Sequence, residues 1–159
     1  MTVKLDGYAS HLPVISALRN HKDPWVEIGS GFYSTPMFRY PTGYSIEPDD
    51  PWREYIQQFY PWVRGPEHFE TMKSWRCGWL IDAGDDLQRL RYAEAVLDNC
   101  VHVVIHDATE SAMQHWGQLT SRVPHWCIWR GMDPPTLVLS KKPLPPFFSL
   151  PQPEQPELW

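Results

Sequence analysis

Two glycines set one residue apart, Gly29 and Gly31, close the apolar run Trp25-Val26-Glu27-Ile28 and open onto Ser30, Phe32, Tyr33, Ser34 and Thr35. Glycine lacks a Cβ, so the chain can turn there with positive φ and a ligand can come close to main-chain atoms. A buried strand running into Gly-x-Gly is where α/β proteins receive an adenosyl ligand. A second run, Gly43-Tyr44-Ser45-Ile46, ends in Glu47, 18 residues after Gly29, where the ribose-binding acid of a βαβ unit falls. An ionised carboxylate can accept two hydrogen bonds from a cis-diol. The pattern points to a small-molecule site, and Glu47 is weighed there against a merely solvated strand-end acid.

Further groups able to do chemistry end two later apolar runs. Asp82 and Asp85 follow Gly78-Trp79-Leu80-Ile81, and His106-Asp107 follow Val101-His102-Val103-Val104-Ile105. Histidine, with an ordinary pKa of about 6.5, exchanges protons near neutrality. His106 is therefore the candidate general base, with Asp107 to orient it. The alternative is that the pair caps the following turn on the amides of Thr109 or Glu110. Asp82, Asp85, His106 and Asp107 also have the donor types for a divalent ion.

These residues need elements to hold them. Ser10 to Arg19 has apolar residues at helical spacing, with Ser10 as a cap. Asp23-Pro24 turns the chain into the first strand. Ser34-Thr35-Pro36-Met37-Phe38 predicts a short helix whose free amides face the ligand, and Asp49-Asp50-Pro51 opens another, with Tyr55, Ile56 and Phe59 as its apolar side. Residues 60 to 76 carry no clean strand pattern. Leu87, Leu90, Tyr92, Ala93, Val96 and Leu97 mark a helix over 85–98, and Glu110 to Leu119 marks one more. His125 to Trp129 and Thr136 to Ser140 read as a closing hairpin. The prolines from Pro143 onward predict an extended, polyproline-like tail. The expected organisation is one domain over 1–142 and a Pro-rich tail over 143–159.

In the order of these motifs the chain resembles the class I S-adenosylmethionine-dependent methyltransferases. The likeness rests on Glu27-Ile28-Gly29-Ser30-Gly31, the acid Glu47, the strand ends at Asp82 and His106, and the terminal hairpin, and spans roughly residues 10 to 141. It implies a Rossmann-like α/β sandwich, mostly parallel, with a C-terminal antiparallel hairpin and an eroded third-strand region. It implies S-adenosyl-L-methionine as cofactor, bound by Glu27, Gly29, Ser30, Gly31, Tyr33, Ser34, Thr35, Glu47 and Asp82, and a small-molecule acceptor served by His106, Asp107 and Asp82. Tyr8 and His11 would fold over the acceptor. Tyr33 stands where many relatives place a third glycine. Catechol-type relatives hold a metal through an Asp-Asn pair that is His106-Asp107 here, so no metal is expected. Two other classes stay in view: a cofactor-binding or interaction module without turnover, and a nicotinamide-dependent oxidoreductase, which would want glycine at Ser34.

Composition narrows the rest. A net charge of −5, from 14 Lys plus Arg against 19 Asp plus Glu, opposes nucleic acid as the main partner. No apolar h-region lies within Met1 to Asp6 and no run reaches membrane-spanning length, so neither export nor a membrane is expected and the cytoplasm is the expected location. Cys77, Cys100 and Cys127 read as reduced structural thiols. Nine tryptophans point to a homo-oligomeric contact, with Trp62, Trp75, Trp129 and Trp159 near turns or the tail.

Overall fold

A computed structural model describes residues 10–19, 23–108 and 113–149. The strands β1 (Trp25–Ile28), β3 (Gly78–Ile81) and β4 (His102–Ile105) are buried at every position. Such unbroken apolar runs suit strands covered on both faces. With β2 (Gly43–Ile46), β5 (His125–Trp129) and β6 (Thr136–Ser140) they form one sheet in the order β2-β1-β3-β4-β6-β5. The pairs β1–β2, β1–β3 and β3–β4 are parallel, whereas β6 lies antiparallel to both β4 and β5. The protein is thus α/β with a mostly parallel sheet and antiparallel strands at one edge, as the sequence predicts.

Alternation along the strands divides the core in two. Val26, Ile28, Ile46, Trp79, Ile81, Val103, Ile105, Leu137 and Leu139 pack with α3 (Glu67–Met72), α4 (Asp86–Val96) and α5 (Met113–Thr120). Trp25, Leu80, Val104 and Val138 face the other way, onto Val14, Ile15 and Leu18 of α1 (Leu12–Leu18). Gly78 makes room for this second layer, since a Cβ there would lie 2.3 Å from the Trp25 ring. No helix among the described residues is long and apolar enough to cross a membrane. The three cysteines are free, and burial raises their thiol pKa values to about 12 for Cys77 and about 11 for Cys100 and Cys127. That fits inert, structural thiols.

Several local expectations change. The helix expected after the glycines is a single 3-10 turn, Thr35–Met37, with no side-chain cap. Ser10 does not cap α1, whose N-cap is His11. In α2 (Asp50–Ile56), Asp49 accepts from the Trp52 amide as an N-cap should, but only Ile56 is buried. Tyr55 and Phe59 stay exposed, and Phe59 lies beyond the end of α2. The predicted helix over 85–98 is α4, capped by Asp85, though Leu87 is exposed.

The interval without a clean strand pattern holds α3, whose Met72 is buried and whose Phe69 meets Trp79 and Tyr92 edge-on. Beside it a single parallel bridge joins Arg64 to Ile46, so a strand remnant does flank β2. The exposed tryptophans are Trp52 and Trp126, while Trp129 is buried; Trp159 lies outside the described residues. Pro146–Ser149 form a 3-10 turn, and Leu144, Phe147 and Phe148 pack on the α1 side of the core. Residues 150–159 lie outside the described set.

Candidate functional site

The site stands beyond the carboxyl ends of the parallel strands. There the chain leaves β1 toward β2 on one side while β3 and β4 continue on the other, which is the switch point of an open α/β sheet. A cavity of about 560 Å³ opens there, lined by Ser30, Gly31, Phe32, Tyr33, Ser34, Trp52, Asp82, Arg89, His106, Asp107 and His11. That volume lies in the roughly 300–1,000 Å³ range of small-molecule sites.

The glycine loop is pinned from below by two carboxylates. Glu27 is fully buried and accepts from Thr35 Oγ1 at 2.8 Å and Ser45 Oγ at 2.5 Å. Thr35 Oγ1 in turn accepts from the Gly31 amide at 2.9 Å. Burial pushes the Glu27 carboxyl up to about 8, against the opposing pull of the Ser34, Ser45 and Thr35 hydroxyls. Glu47, also buried, accepts from the Ser30 amide at 2.6 Å and the Asp49 amide at 2.9 Å. Desolvation raises its pKa, and these two amides work against the rise. Trp52 adds a third tie through Nε1–H to the Ser30 carbonyl at 2.7 Å.

The two glycines do different work. Gly29 has φ +93°, and a Cβ on it would lie 2.6 Å from the Asp82 main chain, so its bareness lets the β1 and β3 ends meet. Gly31 has nothing within 4 Å of a Cβ and borders the cavity. The first glycine is structural and the second leaves space.

On the other wall, His106 is 5% exposed. Its Nδ1 meets Asp82 Oδ1 at 2.7 Å and its Nε2 meets Ser10 Oγ at 2.8 Å. The acid that orients His106 is therefore Asp82 and not Asp107. Asp107 takes φ +56°, a left-handed turn that aspartate tolerates. That turn carries its carboxylate to Arg89 Nη1 at 3.5 Å. Arg89 also lies 3.7 Å from Asp86 and 4.0 Å from Asp82. The capping alternative involves Thr109 and Glu110, outside the described residues.

His11 lies edge-on to His106 with ring centroids 4.5 Å apart. Burial drives its pKa down to about 4, with His106 adding to the fall and Asp82 opposing it. Both of its ring nitrogens are buried without a hydrogen-bond partner.

Of the residues singled out from sequence, Ser30, Gly31, Tyr33, Ser34, Asp82, His106 and Asp107 border the cavity, and so does His11. Glu27, Gly29, Thr35 and Glu47 are not among its lining residues and lie in the layer that shapes the loop. Tyr8 lies outside the described residues. Sequence reasoning missed Ser10 as a partner of His106, and Phe32, Trp52 and Arg89 as walls. Arg89 had one usable signal: it stands one helical turn after Asp85 and Asp86, on the helix that follows Asp82. Phe32 meets Trp52, Tyr55, Phe59 and Tyr60 in edge-on ring contacts, an aromatic cluster of which Phe32 and Trp52 line the cavity.

Comparison with family models, curated proteins and solved structures returned no match to this chain.

Proposed function

We propose that the cavity binds S-adenosyl-L-methionine and that the protein transfers its methyl group to a small-molecule acceptor. The supporting observation is the meeting of the Gly29–Gly31 loop with Glu47 at the carboxyl ends of adjacent parallel strands, joined by the Ser30 amide. A mostly parallel sheet with an antiparallel hairpin at one edge is the arrangement the methyltransferase resemblance implies, and the bridge at Arg64 falls in the interval where a third strand was expected. Glu47 holds the Ser30 amide with one oxygen and the Asp49 amide with the other, so its part is to fix the loop against which the adenosyl group would lie. Trp52 and Phe32 supply flat faces for the adenine.

In the reaction the acceptor's oxygen or nitrogen forms a bond to the sulfonium methyl carbon, the carbon–sulfur bond breaks, and its electron pair stays on sulfur. Alignment carries most of such an in-line displacement. The acceptor's proton passes to His106 Nε2, through the Ser10 hydroxyl or in its place. Asp82 on Nδ1 fixes the tautomer and steadies the imidazolium.

Calorimetry with S-adenosylmethionine, S-adenosylhomocysteine and NAD in parallel tests the reading, with binding of the first two and not the third expected. Gly31→Leu places a side chain in open space beside the cavity. It should leave the unfolding midpoint nearly unchanged while weakening adenosyl binding by about tenfold or more, the cost of roughly 1.4 kcal/mol of lost or blocked contact. Equal affinity in wild type and Gly31→Leu would remove the loop from the site. For His106→Gln, cofactor affinity should persist and turnover should fall by roughly 100-fold, the usual worth of a general base. An unchanged rate would dismiss His106 from that role.

A second reading, a binding module without turnover, is favoured by the single-bridge remnant where a full third strand would complete the adenine side. It predicts adenosyl binding with no methyl consumed across an acceptor panel.

A further inference from the structure

We infer that His11, Asp82 and His106 form a binding site for one divalent transition-metal ion of the zinc or cobalt type. One donor atom from each of the three side chains lies within 4.8 Å of the other two. Zinc takes imidazole nitrogen and carboxylate oxygen at about 2.0–2.2 Å, so small side-chain rotations bring this set around an ion. Two imidazoles and one carboxylate with a further position left open is the ligand count of catalytic zinc sites and of facial-triad iron sites. Imidazole donors select such ions over magnesium and calcium, which take oxygen.

A second observation points to a ligand independently of that spacing. His11 is 1% exposed, borders the cavity, and has neither ring nitrogen hydrogen-bonded. A neutral imidazole carries one N–H donor and one lone pair, and leaving such groups buried and unmet costs roughly 1–3 kcal/mol. Nothing in the packing of α1 demands histidine at this place, because Val14, Ile15 and Leu18 make the contact with the sheet. An ion satisfies the lone pair and explains a polar ring held against a second imidazole.

The surrounding charge favours a cation. Asp82, Asp86 and Asp107 gather about the one guanidinium of Arg89, at 4.0, 3.7 and 3.5 Å, leaving the cluster net negative with a metal-ligating carboxylate among them. Ser10, on His106 Nε2, and Arg89, beside Asp82, are the groups around the ligands that would orient them. An ion held by His11, Asp82 and His106 would supply Lewis acidity beside the cavity. The site does not rest on the adenosyl reading, since the glycine loop supplies no ligand.

The test titrates the chelator-treated full chain with Co²⁺ and Zn²⁺ in the absence of any adenosyl compound, following the cobalt visible spectrum and calorimetric stoichiometry. One equivalent per chain is expected, with Mg²⁺ and Ca²⁺ failing to compete. His11→Ala should weaken Zn²⁺ by about 100-fold or more, because even residues beyond the ligands are worth roughly 10- to 100-fold. His125→Ala, on the far edge strand, should leave it unchanged. Wild-type protein gives a second reading that needs no substitution. Co²⁺ should broaden the imidazole resonances of His11 and His106 at one equivalent while sparing those of His125. Absence of stoichiometric binding, broadening elsewhere, or undiminished affinity in a folded His11→Ala protein overturns the site and leaves adenosyl binding to be judged by its own titration.

Discussion

Glu27→Gln is expected to stabilise the protein at neutral and alkaline pH, by a margin that widens as pH rises. The Glu27 carboxyl is fully buried and its pKa stands at about 8 in the folded chain against an ordinary value of 4.5. Between those two values the folded state holds a proton that the unfolded state has lost. Stability therefore falls with rising pH, fully present below the unfolded pKa and gone above the folded one, by up to about 1.4 kcal/mol for each pH unit of that window. Glutamine keeps an oxygen for the Thr35 and Ser45 hydroxyls and has no proton to lose.

Other groups also titrate. Glu47, with its raised pKa, contributes a slope of the same sign. His11, lowered to about 4, gives the opposite one, its stability being lost as pH falls from about 6.5 toward 4. Both terms cancel in the difference between variant and wild type. Urea midpoints of the two proteins measured from pH 5 to pH 9 should diverge steadily up to about pH 8 and then run parallel. Profiles parallel throughout would mean that Glu27 is not held neutral by its burial.

Gly29→Ala is expected to cost about 3 kcal/mol or more, from two sources. A residue with a Cβ forced to a positive φ loses roughly 1–2 kcal/mol, and Gly29 sits at +93°. The added methyl would also lie 2.6–2.7 Å from the backbone of Asp82 and Ala83, where no flexible side chain can yield. Either β1 and β3 separate at their carboxyl ends or the Asp82 peptide shifts, and Asp82 is the acid that holds His106. The substitution should thus lower the urea midpoint with little change in m-value and also disturb the His106 imidazole resonance. A loss under about 1 kcal/mol with an unmoved resonance would show that the loop can relax without the strand ends. Gly31→Leu is the contrasting case, because the same element has open space there.

The strands β1, β3 and β4 were legible because each carries consecutive Trp, Val, Leu or Ile residues, and burial on both faces demands such runs. The α4 helix was legible from the helical spacing of Leu87, Leu90, Ala93, Val96 and Leu97. The α3 helix was not, since six residues offer less than two turns of periodicity and only Phe69 and Met72 betray an inner face. Tyr55 and Phe59 misled for a related reason: helical spacing says which residues share a face, and not whether that face meets the sheet or the solvent. The role of Glu27 was hidden too. An acid inside an apolar run has the same letters whether it contacts a ligand or lies fully buried beneath a loop on Ser45 and Thr35.

What the sequence determined by itself was the list of strands and the loop and acids at their ends, because those follow from local hydrophobic pattern and the φ freedom of glycine; the mostly parallel arrangement with a closing hairpin was what the family resemblance implied. Only the tertiary structure decided which of those groups meet. Packing α1 over β4 brings Ser10 and His11 onto His106, and laying β3 beside β4 gives that histidine Asp82 instead of its chain neighbour Asp107. Such convergence depends on the three-dimensional order of the strands, and separation along the chain carries no trace of it.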